Sequence, residues 1–137
     1  MGSKRVKKRV SQLSESLDKC LRSRLVGLGD RDEITIPHNC GVYIVYESGK
    51  PVWVGSATDL RTRIGVLLLG SGDGHVLTRN LRERRFGGDP QATKRFLTEK
   101  CGIRYVLTGD RLEAALRAKF FAAVLETPYN EWQKTQQ

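Results

Sequence analysis

At 137 residues, with 24 Lys and Arg against 15 Asp and Glu and a formal net charge of +9 at pH 7, the chain has the length of one domain with a single modest core. Its charge suits a densely anionic partner, nucleic acid foremost; no apolar run approaches the roughly 18 to 20 residues that span a bilayer, and the basic start leads into no apolar stretch of secretory type. Cys20, Cys40 and Cys101 form no CxxC pair, so reduced thiols and an intracellular location, cytoplasmic or nucleoid-associated, are expected.

Residues 1–9 carry five basic residues and no acid, a segment suited to phosphates. From Val6 the apolar positions Val10, Leu13, Leu17, Leu21 and Leu25 recur at three- and four-residue steps, which predicts a helix with one buried stripe to about Val26, stopped by Gly27 and Gly29. Residues 1–30 are thus expected to form a basic helical extension and residues 31–137 the domain proper. Ile34–Ile36 is a short strand candidate ended by Pro37 and Asn39. Val42–Tyr46 and Pro51–Val54 are β-branched and aromatic, and Ser48-Gly49 between them predicts a hairpin. Ser56 or Thr58 is placed to cap a following helix with Leu60, Ile64, Leu67 and Leu68 on its apolar face, ended by a glycine-rich loop at 70–74. Residues 76–100 form a second basic block, split by Gly87-Gly88-Asp89-Pro90 into two short helices. Ile103–Leu107 reads as a strand. Asp110–Leu125 reads as a helix with Leu112, Leu116, Phe120, Ala123 and Val124 on its buried side, ended by Pro128.

Gly41-Val42-Tyr43 on one strand of the hairpin, Trp53-Val54-Gly55 on the next, and Arg63 eight residues beyond Gly55 resemble the signature of the GIY-YIG nuclease family. There, two short motifs lie on paired strands and an arginine follows on the first helix. The resemblance covers about residues 39–131. It implies an α+β fold, a small three-stranded antiparallel sheet flanked by helices with a β-β-α-β-α core. It implies an endonuclease of repair or restriction type, hydrolysing phosphodiester bonds in DNA with Mg²⁺ or Mn²⁺. A nucleic-acid-binding module that has lost cleavage and an RNA-directed member are the alternatives. One such site cuts one strand, so monomer and homodimer are both open.

Tyr43 matches the first motif's tyrosine, whose phenol is implied to activate the attacking water or relay its proton. Taken alone, a strand tyrosine more often packs with a satisfied hydroxyl. Arg63 stands where the family carries its catalytic arginine, able to grip a phosphate with two parallel hydrogen bonds. Trp53 departs from the pattern: an indole stacks or donates but accepts no proton, so it is assigned to substrate binding. The proton-accepting role passes to His75 in the glycine-rich loop. Leu112-Glu113-Ala114 resembles the family's Leu-Glu segment, in which one carboxylate holds the cation, and Glu113 is taken as metal ligand and catalytic residue. Glu113 could equally pair with Arg117 four residues on. Counting back from Asn130, which resembles the family's asparagine after the helix, instead places Ala118 at the carboxylate position and leaves no metal site. Arg61, Arg79, Arg82 and Arg85 are expected to contact phosphates, and Asn130 to tie the helix end to the active face.

Overall fold

The computed structural model describes residues 2–33 and 36–132. Four strands form one antiparallel sheet: β1 (Val26–Gly27), β2 (Gly41–Glu47), β3 (Lys50–Ala57) and β4 (Cys101–Leu107), in spatial order β1-β4-β2-β3. Four α-helices flank it: α1 (Ser3–Arg22), α2 (Val76–Arg85), α3 (Pro90–Lys100) and α4 (Arg111–Leu125), with a π-helix at Thr62–Leu68 between β3 and α2. The expected β-β-helix-β-helix order is present, and the fold is α+β.

The hairpin forms as its sequence dictates. Ser48 and Gly49 both adopt positive φ, 50° and 84°, the conformation whose twist matches two antiparallel strands. In β2 every residue from Gly41 to Tyr46 is buried, because helices cover both faces of the sheet. Alternation then divides the core. Tyr43, Val45, Trp53 and Ile103 pack with Leu60, Ile64, Leu68, Leu77, Leu81 and Leu97 on one face. Val42, Ile44, Tyr46, Val54 and Val106 pack with Leu17 and Cys20 of α1 and Ala114 and Phe121 of α4 on the other.

Several expectations are corrected. The sheet has four strands rather than three: α1 ends at Arg22, Ser23 is extended, and Val26 and Gly27 pair with Ile103 and Gly102. Val26 is buried in the sheet-side core, which a further turn of helix would forfeit. Residues 34 and 35 of the strand candidate at 34–36 lie outside the described residues. Neither Ser56 nor Thr58 caps the helix after β3; the Asp59 carboxylate accepts from the Thr62 N–H at 3.2 Å instead. Asp89 and Asp110 cap α3 and α4. On α4 the buried residues are Ala114 and Phe121, while Leu112, Leu116 and Val124 are exposed.

All three cysteines are free thiols. Among the described residues no helix is long and apolar enough to cross a membrane.

Candidate functional site

The register of the hairpin sets Tyr43 directly opposite Gly55. A Cβ at Gly55 would meet Tyr43 Oη at 2.6 Å and Trp53 Nε1 at 3.0 Å, so the glycine is required by the two rings that close over it. Beside them a cavity of about 740 Å³ runs past the edge of β3 to α4, lined by Tyr43, Trp53, Gly55, Arg63, His75, Ala118, Lys119 and Asn130 among others. Tyr43, Arg63 and His75, far apart in sequence, therefore share one site.

Tyr43 Oη and His75 Nε2 are 2.6 Å apart and buried. His75 is also the N-cap of α2, its Nδ1 accepting from the Leu77 N–H at 3.2 Å. Burial, reinforced by the Arg63 charge, pushes the imidazole down to about 3. The ring is therefore neutral, and with Nδ1 committed as acceptor its one hydrogen lies on Nε2. Nε2–H donates to the phenol oxygen. The Trp53 indole N–H lies beside the same oxygen, close enough to oppose the rise in its pKa yet outside good hydrogen-bond geometry, and is left without a partner. With His75 Nε2–H donating to its oxygen, Tyr43 keeps its own O–H as a donor beside the cavity it lines. Burial raises the phenol's pKa well above the ordinary tyrosine range, opposed in part by Arg63, so it is a donor rather than a phenolate.

This corrects the role given to His75. A buried ring whose acceptor nitrogen is bound to a backbone N–H has no lone pair for a water; it positions Tyr43. Trp53 is likewise buried, so its indole is a wall of the site and no stacking platform.

Asn130 holds the far wall. Its Oδ1 accepts from Val54 N–H at 2.8 Å and its Nδ2 donates to Val54 C=O at 3.0 Å, so the amide pairs with the free edge of β3 as a strand residue would. Thr127 Oγ1 donates to the same Oδ1 at 2.6 Å. The tie expected of Asn130 is present, made to the strand rather than to a substrate.

Glu113 does not line this cavity. It faces α1, where its carboxylate accepts from Arg9 Nη2, and from Arg117 Nη1 at 2.7 Å, in a groove formed by α1, α4 and the end of β4. The hydrogen bonds from Arg9 and then Arg117 hold its pKa down at about 2. Both of its neighbours here are cations, an environment that repels a metal ion. The α4 residues on the cavity wall are Ala115, Ala118, Lys119, Ala122 and Ala123, the register that offers no carboxylate. Glu126 and Glu131 line the cavity where α4 gives way to the turn at Thr127–Asn130. Among the described residues no group of three or more His, Cys, Asp or Glu side chains is placed to hold a metal ion. The single carboxylate that the resemblance assigns to Mg²⁺ or Mn²⁺ is thus missing from its expected place on the α4 wall, and Glu113, held by Arg9 and Arg117 outside the cavity, is withdrawn as metal ligand and as catalytic residue.

The expected phosphate-binding arginines divide. Arg61 donates to Ile36 C=O at 2.6 Å. Arg82 clamps the glycine-rich loop through Ser71 C=O, Gly72 C=O and Asp73. Arg85 binds Glu47 and the Tyr129 hydroxyl and lies over Phe96. These three support the fold, and with Arg79 they stand outside the cavity lining. Lys119, which does line it, was missed, because nothing but the register of α4 distinguishes it from the other surface lysines.

No family model matches the sequence, and no curated protein does. Among solved structures, the chain is similar to the GIY-YIG N-terminal endonuclease domain of UvrC from Thermotoga maritima bound to its catalytic divalent cation, magnesium. The identity is 16% and the TM-score 0.45, over 74% of this chain and 93% of that one. Two point mutants of the same domain, also bound to the divalent cation, match with the same TM-score over 92% of their length, at 16% and 15% identity.

Proposed function

We propose that this chain binds the phosphodiester backbone of nucleic acid, DNA in the first place, in the cleft between the β2–β3 hairpin and α4. The observation that carries this reading is the chemical character of the groups gathered at its floor. The Tyr43 O–H and the Arg63 guanidinium are both donors beside a buried neutral imidazole, a set that matches the oxygens of a phosphate. The net charge of +9 adds long-range attraction that carries no sequence information. The alanines along α4 leave room for a bulky backbone to approach.

Hydrolysis of that bound strand, as a nuclease of GIY-YIG type, is the second reading. It is favoured by the convergence of Tyr43, Arg63 and His75 on one site. It asks for a group that accepts a proton from water; at the floor of the cleft Tyr43 is held protonated and His75 has its acceptor nitrogen engaged, and the carboxylates of the lining, Glu126 and Glu131, stand where α4 ends, so binding is the better-supported function.

Labelled duplex and branched DNA incubated with the protein and Mg²⁺ or Mn²⁺ separate the two. Binding that Arg63→Ala weakens, with no nicking by the wild-type chain, is the expected outcome. Nicking by the wild type that is abolished in both Arg63→Ala and Tyr43→Phe would replace the binding reading with the nuclease one. Parallel titration of an RNA duplex of the same sequence tests whether the sugar is distinguished.

A further inference from the structure

We propose that Lys119 supplies the second positive charge at the bound phosphate, so that the cleft engages nucleic acid without a divalent cation. This rests on the phosphodiester-binding reading and names what, in this chain, replaces the metal ion.

The α4 positions that line the cavity, Ala115, Ala118, Lys119, Ala122 and Ala123, with Glu126 at the C-cap, follow the three- and four-residue spacing of one helix face. Lys119 is the one cation among them. It lies one residue from Ala118, the position where the alternative register would set a metal-holding carboxylate. Arg63 lines the same cavity. Lys119 makes no hydrogen bond or ion pair among the described residues, in contrast to Arg61, Arg82 and Arg85, which are committed within the fold. Its ammonium is a compact charge on a flexible stem, able to follow a phosphate oxygen without the fixed geometry a guanidinium demands. The flanking alanines leave it clear access. With a carboxylate at position 118 this stretch of wall would attract a cation; with Ala118 and Lys119 there, and the Glu126 carboxylate about two turns further on, it attracts the phosphate directly.

The test is fluorescence anisotropy with a short labelled DNA duplex and the full chain, titrated over a range of salt in EDTA and again in millimolar Mg²⁺. Binding in EDTA should be at least as tight as in Mg²⁺, which competes for the phosphates. Lys119→Gln should weaken binding about three- to tenfold and lower the salt slope by about one phosphate contact. Lys119→Arg should restore it. Lys50→Gln, at the start of β3 and outside the cavity lining, is the charge-matched control and should have a smaller effect. A wild type that binds no DNA in either buffer removes the phosphodiester reading itself. A wild type that binds only with Mg²⁺, or a Lys119→Gln chain no weaker than Lys50→Gln, overturns the role of Lys119 and leaves that reading standing.

Discussion

Acidification tests the assignment of His75 as a neutral positioning group. In the folded chain its Nδ1 accepts from Leu77 N–H and its Nε2–H donates to Tyr43; a second proton could go only on Nδ1, where it would face the Leu77 N–H. The folded pKa is accordingly depressed from 6.5 to about 3 by burial and by Arg63. Between those values the unfolded chain binds more protons than the folded one, so stability is fully present above about pH 6.5 and falls as pH drops toward 3. Between pH 7.5 and 5 the expected loss is about 2 kcal/mol, from roughly 1.4 kcal/mol per pH unit below the unfolded value. Glu113, held at about 2, loses its contribution at lower pH and does not enter this window. Urea unfolding at about pH 7.5, 6 and 5 measures the slope. His75→Asn keeps a capping side chain at the start of α2 but cannot titrate; it should be less stable at neutral pH and nearly flat with acidification. A wild type whose stability does not change over this range, or a His75→Asn chain that retains the slope, refutes the neutral imidazole with its acceptor nitrogen engaged and returns His75 as a candidate base.

Gly55→Ala should drive a methyl into the Tyr43 ring, 2.6 Å from Oη, cost about 1–3 kcal/mol in overpacking and weaken DNA binding by displacing the phenol; an unchanged urea midpoint would contradict it. Glu113→Ala should leave DNA affinity undiminished while quickening amide exchange in the first half of α1, since the Arg9–Glu113–Arg117 cluster ties that helix down; lost DNA binding with α1 protection intact would restore a role for Glu113 in the site. Ala118→Glu should create Mn²⁺ binding, detectable by titration calorimetry, that the wild type lacks. Equal heats from the two chains would mean that the cation is held elsewhere.

The hairpin was legible because each local signal agreed: β-branched runs, and a Ser48-Gly49 turn whose positive φ values fit the strand twist. Tyr43 and Arg63 could be paired from motif spacing and His75 added from its imidazole chemistry, and all three line one cavity. What spacing could not convey was direction of hydrogen bonding: that His75 spends its acceptor on a helix cap is a property of where α2 begins. Nor could charge reveal commitment, since Arg82 and Arg85 look like phosphate ligands until the loop carbonyls and Glu47 that occupy them are seen. The largest misreading was the face of α4. With alanine at 114, 115, 118, 122 and 123, leucine or phenylalanine at 112, 116, 120, 121 and 125, and the charges at 111, 113, 117 and 119 spread around the helix, its period selects no side. The sheet decides: the face made by Val42, Ile44, Tyr46 and Val106 accommodates Ala114 and Phe121 and leaves Leu112 in solvent.

That choice of face also decides the chemistry of the cleft. Residues 113 and 118 are five apart, so their side chains diverge by roughly 140° around a helix of 3.6 residues per turn, and one rotation of α4 cannot present both to the cavity. In the observed rotation Ala118 and Lys119 line it while Glu113 closes on Arg9 and Arg117. Turning Glu113 inward when substrate arrives would break both of those pairs. It would also withdraw Phe121, fully buried against the sheet, at a cost comparable to the 3–5 kcal/mol of deleting such a ring. The rotation that anchors the N-terminal helix through Glu113 is therefore the same one that presents Ala118 and Lys119 to the cleft, and the two properties are expected to persist or be lost together.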